Sequence, residues 1–419
     1  MPDYGPLLPV IDSDAHVVEP FDMWKERLPS EFHSVARRRE VDDNGREQLY
    51  HLGKALDLEW TVGTLSTPGS ASRTGRLDFD LDEDVDAGAY DPERRLALMD
   101  EQGIAMSMLF PSITLGLDDV TDPDYRQAHA RAYNDWIADF CLLDPIRLRW
   151  GAVLPVYDPA WARAELERCI RKGASCAMLS PLPRAKPSGQ FADPTRADQC
   201  RNVGTRDLDP IYELLADNGK PAVVHAVNPA SNALGIGWVF GNRTQWQMGQ
   251  PFQIQLAMVH MIDGGVFERF PTLRVGFFEG DVGWLPHWLG RLTETYEKFA
   301  LLSREPQRPP LETFRRQCYI SGEPADLGLA LTAQHIGAGR ILWASDWPHM
   351  DGAWPDPVVI LRDRPDLSAE QKRQILVDGP AEFFAVDMPE LMGHLGPGWA
   401  LDARVEDHPG MGIPESLST

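Results

Sequence analysis

The sequence lacks the features that mark membrane proteins and nucleic-acid-binding proteins. No apolar run approaches the roughly 20 residues that a membrane span requires, and the first residues show no basic stretch followed by a long apolar segment. Lysine and arginine form no cluster, and the formal net charge is -23, from 63 acidic and 40 basic residues. Such a surface repels phosphate backbones and anionic lipids. We therefore expect a cytoplasmic protein that binds neither nucleic acid nor membranes.

Cysteine is scarce, and its spacing excludes the usual cysteine-based sites. The five cysteines are odd in number, and none forms a C-x-x-C pair of the kind found in zinc knuckles and redox couples. We expect them to be reduced and mostly buried. Internal repeats and low-complexity tracts are also absent from the sequence. The cysteines are Cys141, Cys169, Cys176, Cys200 and Cys318.

Short apolar runs, often β-branched, alternate with longer segments of helical periodicity, which is typical of parallel βαβ units. Eight such runs predict an α/β fold, a single (β/α)8 TIM barrel. A length of 419 residues with 43% hydrophobic content permits one large core, and such barrels often exceed 250 residues. The predicted strands are Val10–Asp14, Ala105–Phe110, Leu148–Pro155, Ser175–Ser180, Ala222–Val227, Leu273–Glu279, Tyr319–Gly322 and Ile341–Asp346.

Helices are predicted between these strands, and two of them have clear end signals. Asp158-Pro159 has the pattern of an N-cap followed by proline at the first helical position, and Asn218-Gly219 has the pattern of a helix end. A closing helix pair is predicted over Ala369–Val386. The other predictions are helices at Asp91–Gln102, Asp124–Leu142, Pro159–Lys172, Asp209–Asn218 and Phe252–Phe267.

Three long, irregular segments interrupt the alternating pattern. We predict insertions at about 20–90, 181–206 and 228–251, which would lie over the barrel mouth where active sites are assembled. Residues 1–387 would form the barrel. The remaining residues, 388–419, are rich in proline and glycine and show no period, so they would be either an arm that contacts a partner or a disordered tail.

The first strand runs into Asp14 and His16, two residues apart and therefore on the same side of an extended chain. A carboxylate and an imidazole suit zinc, manganese or iron(II). The D-x-H pattern alone is weak, because a hydrogen-bonded or solvent-facing pair has the same spacing.

Two further polar residues are predicted at the same end of the barrel. His225 ends the fifth strand and Asp346 ends the eighth. A single histidine there is often a core residue, and a single aspartate can cap a turn. Burying four such groups together without a cation would be costly, so we predict one divalent metal ion bound by Asp14, His16, His225 and Asp346.

Three more residues at the rim are candidates for chemistry or for support of the ligands. Glu279 closes the sixth strand and could be a general base or a further ligand, although an ion pair with Arg291 is the alternative. His349 could orient a ligand or hold substrate, unless it is a surface turn residue. Glu19 could support the ligands through hydrogen bonds.

These residues resemble motifs of the amidohydrolase superfamily, in the branch that contains aminocarboxymuconate semialdehyde decarboxylase and the resorcylate decarboxylases. The resemblance extends to about Asp387, and six matches in the right order make it specific. The matching segments are Asp14-Ala-His16-Val-Val-Glu19-Pro, Arg95 to Ile104, Val224-His225, Gly264 to Arg274, Gly283-Trp-Leu-Pro and Ala344-Ser-Asp346-Trp-Pro-His349.

The resemblance implies one divalent ion, for which zinc is our first choice over manganese and iron, on the four ligands already named. Decarboxylases of this branch have a histidine at the end of strand six, where this chain has Glu279, and a histidine or glutamate at the position of Asp14. Unless burial raises its pKa, Glu279 would repel a substrate carboxylate and serve better as a base toward water. The sequence therefore favours a metal-dependent hydrolase acting on a C–N, C–O or C–C bond, with Asp346, Glu279 and His349 as catalytic residues.

Two alternatives remain at this point. A non-oxidative decarboxylase or hydratase would use the same metal site, with arginines such as Arg73, Arg76 and Arg243 on a substrate carboxylate. A catalytically inactive barrel would be a binding scaffold. We expect a small, aromatic or carboxylated substrate and a homodimer. The aromatic residues expected near the mouth are Trp238, Phe240, Trp246, Trp284, Trp347 and Trp354.

Overall fold

A computed structural model describes residues 6–41, 47–56, 66, 85–120, 122–183, 202–227, 243–299 and 308–408. Its centre is an eight-stranded parallel sheet in which each strand lies beside the one that precedes it in the chain. The strands are β1 Val10–Val17, β5 Ile104–Pro111, β6 Leu148–Val153, β7 Cys176–Leu179, β8 Ala222–His225, β9 Val275–Phe278, β10 Cys318–Gly322 and β11 Ile341–Trp343.

The last strand is joined to the first by backbone hydrogen bonds just beyond the end of β11. Asp346 N donates to Asp14 O at 3.0 Å, and His16 N donates to Trp347 O at 2.7 Å. Each of the eight strands is almost entirely buried, as the interior wall of a barrel surrounded by helices requires. The structure confirms the predicted (β/α)8 TIM barrel.

Helices surround this sheet along the described chain. Those connecting or covering the strands are α1 Phe21–Arg27, α2 Pro92–Gln102, α3 Pro123–Cys141, α4 Pro159–Arg171, α5 Asp209–Asp217, α6 Arg243–Asp263, α7 Val266–Arg269, α8 Leu285–Phe299, α9 Pro310–Gln317 and α10 Leu329–Ile336. After the last strand come α11 Pro357–Arg362, α12 Ala369–Arg373, a π-helical turn Gln374–Asp378, α13 Gly379–Phe384 and α14 Met388–Leu395.

The two helix-end signals in the sequence have the expected physical basis. The Asp158 carboxylate accepts hydrogen bonds from Ala160 N and Trp161 N, at 3.0 and 3.1 Å, directly before Pro159. At the end of α5, Gly219 adopts φ +62, a left-handed conformation that glycine adopts without steric cost. Both predictions are confirmed because capping depends on neighbours close in sequence.

The helix predicted at Phe252–Phe267 is wrong at both ends. It begins at Arg243, so residues 243–251 are helical and do not belong to an irregular insertion. Pro251 lies inside this helix, although the sequence predicts that the helix begins just after it. A separate short helix, Val266–Arg269, follows after Gly265, whose φ of 69 ends the regular turn. Proline inside a helix is tolerated where packing compensates for the missing hydrogen bond.

The first predicted insertion contains structure that the sequence pattern did not reveal. It includes α1 and an antiparallel sheet of β2 Arg38–Val41, β3 Glu47–His51 and β4 Lys54–Leu56. Most of 57–84, together with 184–201 and 228–242 from the other two insertions, lies outside the described residues.

The segment after residue 387 packs on the barrel through residue 408. Leu391 of α14 is buried with Ile11, Ala105 and Met106, and Leu7 pairs with Trp399 in an isolated β-bridge. This part of the predicted tail is therefore ordered against its own barrel, and a role in contacting a partner stays a prediction. The division at residue 387 also stays a prediction.

Four of the five cysteines are described, and all four are unpaired and buried: Cys141, Cys169, Cys176 and Cys318. This confirms the expectation for those four, while Cys200 lies outside the described residues. Within the described chain, no helix combines the length with the apolarity that crossing a bilayer needs.

Candidate active site

Three polar side chains are buried along the first strand. Asp12, Asp14 and His16 alternate along β1, and each is at most 1% exposed. His16 Nε2 lies 3.5 Å from Asp14 Oδ1. Parallel strands carry their carboxyl ends to one rim of a barrel, so this face of β1 meets the ends of the other strands there.

His225 and Asp346 join this pair, as the sequence predicts. His225 Nε2 lies 3.4 Å from Asp14 Oδ1, and His16 Nε2 lies 3.3 Å from Asp346 Oδ1. The candidate ligand atoms fall into two groups that share His16. Within each group, all atoms lie within 4.8 Å of one another. The groups are Asp14, His16 and His225, and His16, Asp346 and His349.

The hydrogen bonds of the two histidines direct their free nitrogens inward. His16 Nδ1 donates to Pro111 O at 2.9 Å, and His225 Nδ1 donates to Ala226 O at 2.7 Å. Each Nε2 is thereby left with a lone pair pointing at carboxylates. Burial, and after it the neighbouring histidines, hold the pKa of His16 well below its usual range, so this ring is neutral.

Four buried atoms at this point form no hydrogen bond of good geometry, although His349 Nδ1 lies 2.7 Å from the last of them: Asp14 Oδ1, His16 Nε2, His225 Nε2 and Asp346 Oδ1. All four are lone-pair donors, and none can satisfy another. Buried polar atoms without partners are rare because each carries a desolvation cost. A divalent cation among them would satisfy all four, and two carboxylates with two imidazoles are a donor set that zinc, manganese and iron accept.

Asp346 is held in a strained position beyond its strand. The strand ends at Trp343, three residues before the predicted end, and Asp346 has φ +53. Its backbone N–H donates to Asp14 O. The sequence located the residue correctly at the rim but assigned it to regular strand, because a left-handed residue leaves no periodic signal.

His349 lies against two of the candidate ligands. Its Nδ1 is 2.7 Å from Asp346 Oδ1, its ring stacks on that of His16 with centroids 3.9 Å apart, and its Nε2 contacts Ser112 Oγ at 3.0 Å. The residue is 3% exposed, so it is not a surface turn residue. Burial lowers the pKa of His349 to about 3.

Glu279 faces the same cavity and does not pair with Arg291. Strand β9 ends at Phe278, and Glu279 follows it with φ +64. Its Oε2 lies 3.9 Å from His225 Nε2, and its Oε1 accepts a hydrogen bond from Gln250 Nε2 at 2.9 Å. Burial, and then the charge of Asp14, raises the pKa of Glu279 well above its usual range.

Glu19 supports the site through the backbone, as the sequence analysis suggested. Its carboxylate accepts hydrogen bonds from the backbone N–H groups of Ser112, Ile113 and Thr114, at 3.3, 2.9 and 2.9 Å. This fixes the chain after β5, and Ser112 in turn contacts His349. Glu19 is fully buried and does not belong to either group of candidate ligand atoms.

Sequence reasoning missed two residues that hold the ligands in place. The Asp12 carboxylate accepts hydrogen bonds from Ser345 N at 3.1 Å and from Ser345 Oγ at 2.6 Å, directly before Asp346. Arg95 donates to the backbone carbonyls of Gly88 and His16, and its guanidinium lies over the Trp347 ring. The position of Asp12, two residues before Asp14 in the same predicted strand, is a signal that could have revealed it.

A cavity of about 280 Å³ opens beside the four candidate ligands. Its wall contains Asp14, Glu279 and Asp346, and further residues from the loops that follow β9, β10 and β11. These further residues include three more carboxylates, Asp281, Glu323 and Asp351. Burial is the largest cause of a raised pKa for Glu323, to about 8, and for Asp351.

The aromatic residues expected at the mouth are only partly described. Trp347 packs beneath Arg95 and against Trp354, and Trp284 packs on the core, where its Nε1 donates to Gly280 O. None of these three belongs to the described cavity wall. Trp238, Phe240, Arg73 and Arg76 lie outside the described residues, and for Trp246 and Arg243 only the helical backbone is described.

The fold and this rim define a class: a (β/α)8 barrel with a carboxylate and histidine cluster at the carboxyl ends of its strands. The amidohydrolase family model matches residues 11–386. The chain therefore belongs to the amidohydrolase family, as its motifs suggested.

Individual relatives are distant. The chain is 27% identical over 264 residues to a gamma-resorcylate decarboxylase of Polaromonas sp., covering 61% of this chain and 76% of that protein. A solved amidohydrolase from Mycobacterium avium subsp. paratuberculosis superposes with a TM-score of 0.73 at 23% identity, over 90% of this chain and 99% of that one. A dihydroxybenzoic acid decarboxylase from Polaromonas sp., solved with manganese and 2-nitroresorcinol, gives 0.62 at 20% identity, over 92% and 99%.

Proposed function

We propose that the protein is a metal-dependent hydrolase whose single divalent ion is bound by Asp14, His16, His225 and Asp346. The observation that carries this proposal is the set of four buried lone-pair atoms without partners, contributed by three different parts of the barrel. Backbone hydrogen bonds already fix the ring orientation of both histidines, as expected of ligands that are organised in advance. A catalytically inactive scaffold has no physical need for such a cluster.

A divalent ion at this position would supply Lewis acidity toward a substrate carbonyl and toward water. Asp346 is placed to accept a proton from an attacking water molecule, and the contact with His349 restricts its carboxylate. Glu279 faces the cavity with a raised pKa, so it can carry a proton and donate it to a leaving group. These roles together favour hydrolysis of a C–N, C–O or C–C bond.

Decarboxylation is the second candidate, and the names of the relatives favour it. A solved relative that carries that name binds manganese, so we keep manganese beside zinc as a candidate ion. Against decarboxylation, the described cavity wall contains no lysine or arginine to hold a substrate carboxylate. A hydratase would share the metal site and would face the same difficulty with carboxylated substrates.

The metal proposal is tested by mass spectrometry of untagged protein purified without chelator. We expect about one equivalent of zinc, manganese or iron in the parent, and its loss in His225→Ala and Asp346→Asn. His287→Ala is the matched control, because His287 is exposed on α8. A folded parent that contains no metal and takes up none when metal is added would contradict the proposal and favour the scaffold alternative.

The reaction proposal needs a separate assay on metal-loaded enzyme. Esters, amides and β-diketones are offered alongside aromatic carboxylic acids, with product formation and carbon dioxide release both recorded. We expect hydrolysis of an ester, an amide or a β-diketone. Carbon dioxide release from an acid without any hydrolysis would replace the hydrolase proposal with the decarboxylase.

We also propose a homodimer in the cytoplasm. The four described cysteines are unpaired, which suits a reducing compartment. Exposed apolar side chains such as Leu327 and Leu331, at 96% and 59% exposed, provide a surface that a second copy could cover. Light scattering at several protein concentrations tests the dimer, and a constant monomer mass would contradict it.

A further inference from the structure

The active-site cavity contains more carboxyl groups than one divalent metal ion can neutralise. Asp14 and Asp346 would be neutralised by a divalent ion. Glu279, Asp281, Glu323 and Asp351 would then remain as four more carboxyl groups in the wall. They come from the ends of three neighbouring strands, so the barrel geometry brings them together.

Two of these carboxylates accept hydrogen bonds from neutral amide side chains. Gln250 Nε2 donates to Glu279, and Gln247 Nε2 donates to Asp351 Oδ2 at 3.1 Å. Among the residues that the structure describes, the cavity wall includes no lysine, arginine or histidine side chain. Amides can hydrogen-bond to carboxylates, but they do not cancel their charge.

A separate observation marks this cavity as a ligand site. Asp14 and Asp346, which are 1% and 4% exposed, line it, and each has an oxygen without a hydrogen-bond partner. The acidic wall therefore surrounds a space that is already built to take a bound group.

We propose that the cavity selects substrates with a cationic group, an amine, amidinium or guanidinium, near the scissile bond, and that Glu323 and Asp351 are the specificity residues that receive it. The inference rests on the proposed hydrolase function and names its substrate class. The positions of the two residues suit this role, because both line the cavity without belonging to the candidate metal ligands.

The charge state of the wall agrees with this proposal. Beyond burial, the pKa of Glu323 is raised by the charges of Asp281, Asp351 and Asp326. Carboxylates raise one another's pKa when no cation lies between them. A cationic substrate group would reverse that effect, whereas an anionic group would add to the repulsion.

Binding is measured first, because it does not depend on turnover. Isothermal titration calorimetry of the metal-loaded enzyme compares benzamidinium, benzamide and benzoate, which have similar shapes and charges of opposite sign or zero. We expect benzamidinium to bind at least about tenfold more tightly than benzamide, with the difference shrinking as salt is added. Equal affinities, or tighter binding of benzoate, would overturn the inference.

Substitutions then locate the preference. Glu323→Gln and Asp351→Asn keep side-chain shape and remove charge. Each should lower the ratio of benzamidinium affinity to benzamide affinity by about threefold or more. Glu213→Gln is the matched control, since Glu213 is exposed on α5 and outside the cavity wall. A preference that survives in both cavity variants would show that other residues receive the cation and would overturn the assignment.

A kinetic comparison separates this inference from the function on which it rests. The substrates are 4-(aminomethyl)benzyl, 4-methylbenzyl and 4-carboxybenzyl acetates, with the corresponding acetamides. Hydrolysis of the neutral compound without any advantage for the cationic one would overturn the inference and leave the hydrolase proposal intact. Tight benzamidinium binding without hydrolysis of any ester or amide would instead contradict the hydrolase proposal and retain the cation site.

Discussion

Glu279 and Asp346 have a left-handed backbone, at φ +64 and +53, and so does Asp281 in the cavity wall, at φ +52. Side chains other than glycine adopt this conformation at a cost, and such positions concentrate where structure serves function. Each directs a carboxylate from the end of a strand into the cavity. Regular strand would place these side chains elsewhere, so the strain is part of how the site is built.

Asp12 should control metal affinity although it does not line the cavity. Asp12→Asn removes an acceptor from the Ser345 hydroxyl and so loosens the residue that precedes Asp346. We expect affinity for zinc to fall about 10- to 100-fold, the range seen when groups supporting metal ligands are changed. Competition with a chromophoric chelator measures it.

The control for this experiment is Asp217→Asn, at an exposed residue at the end of α5. It should leave zinc affinity unchanged. An Asp12→Asn protein that is folded and binds zinc like the parent would show that the contact with Ser345 does not position Asp346.

Glu323 should make the metal-free protein less stable as the pH rises. Its pKa is about 8 in the folded state against an ordinary value of 4.5, so the folded state binds the proton more tightly than the unfolded state. This contribution to stability is complete below pH 4.5 and is lost as the pH rises to about 8. Urea unfolding in chelator, at several pH values across that window, should show a declining free energy of unfolding.

Glu323→Gln should flatten this decline by up to about 5 kcal/mol, because glutamine does not ionise. Glu213→Gln should leave the decline as it is in the parent. The same slope in the parent and in Glu323→Gln would mean that other groups govern the pH dependence.

At the scale of elements, the helix after β8 is held against the loop before α5 by a contact that only glycine permits. A Cβ on Gly204 would lie 1.7 Å from the carbonyl oxygen of His260, near the end of α6. A methyl group cannot fit there without moving backbone on one side. The contact therefore fixes the position of α6, which carries Gln247 and Gln250 into the cavity wall.

Gly204→Ala should lower the free energy of unfolding by about 3 kcal/mol, the upper part of the range for overpacked sites. Gly290→Ala is the control, because Gly290 lies in α8 with nothing within 4 Å of the added methyl group. That change should raise stability by up to about 1 kcal/mol through helix propensity. Equal stability of the two variants in urea unfolding would contradict the close contact.

At the scale of the whole molecule, the chain after residue 387 closes one end of the barrel. Leu391 is 1% exposed and covers Ile11, Ala105 and Met106, which belong to the first two barrel strands. The carboxyl-terminal segment thus shares a small core with the start of the chain. It contributes to the fold of its own protomer, whatever further contact it makes.

Leu391→Ala should cost about 2 to 5 kcal/mol, as expected for a leucine removed from a packed core. Leu401→Ala, at a position 39% exposed in the same segment, should cost much less. Urea unfolding and light scattering are recorded together. Dissociation of a dimer by Leu391→Ala without loss of stability would show that the segment acts between protomers instead.

Features that depend on interactions between residues close in sequence could be predicted, and features that depend on long-range packing could not. The strands, the capped helices and the four candidate ligands could be predicted, since they depend on periodicity and on near neighbours. Because the strands of a barrel all end at one rim, His225 and Asp346 were predicted to lie together, although they are 121 residues apart in sequence. The helix from Arg243 was missed because Pro251 gives a local breaker signal that packing overrides.

The sequence by itself determined the fold and the family and indicated the candidate ligands, because alternating apolar patterns and strand-end residues are local properties of the chain. Only the tertiary structure decided the character of the cavity. Asp281, Glu323 and Asp351 lie on three separate loops, and their charges act together only because adjacent strands end at one rim. Burial and mutual repulsion, which set their pKa values and favour a cationic ligand, exist only once the barrel has closed.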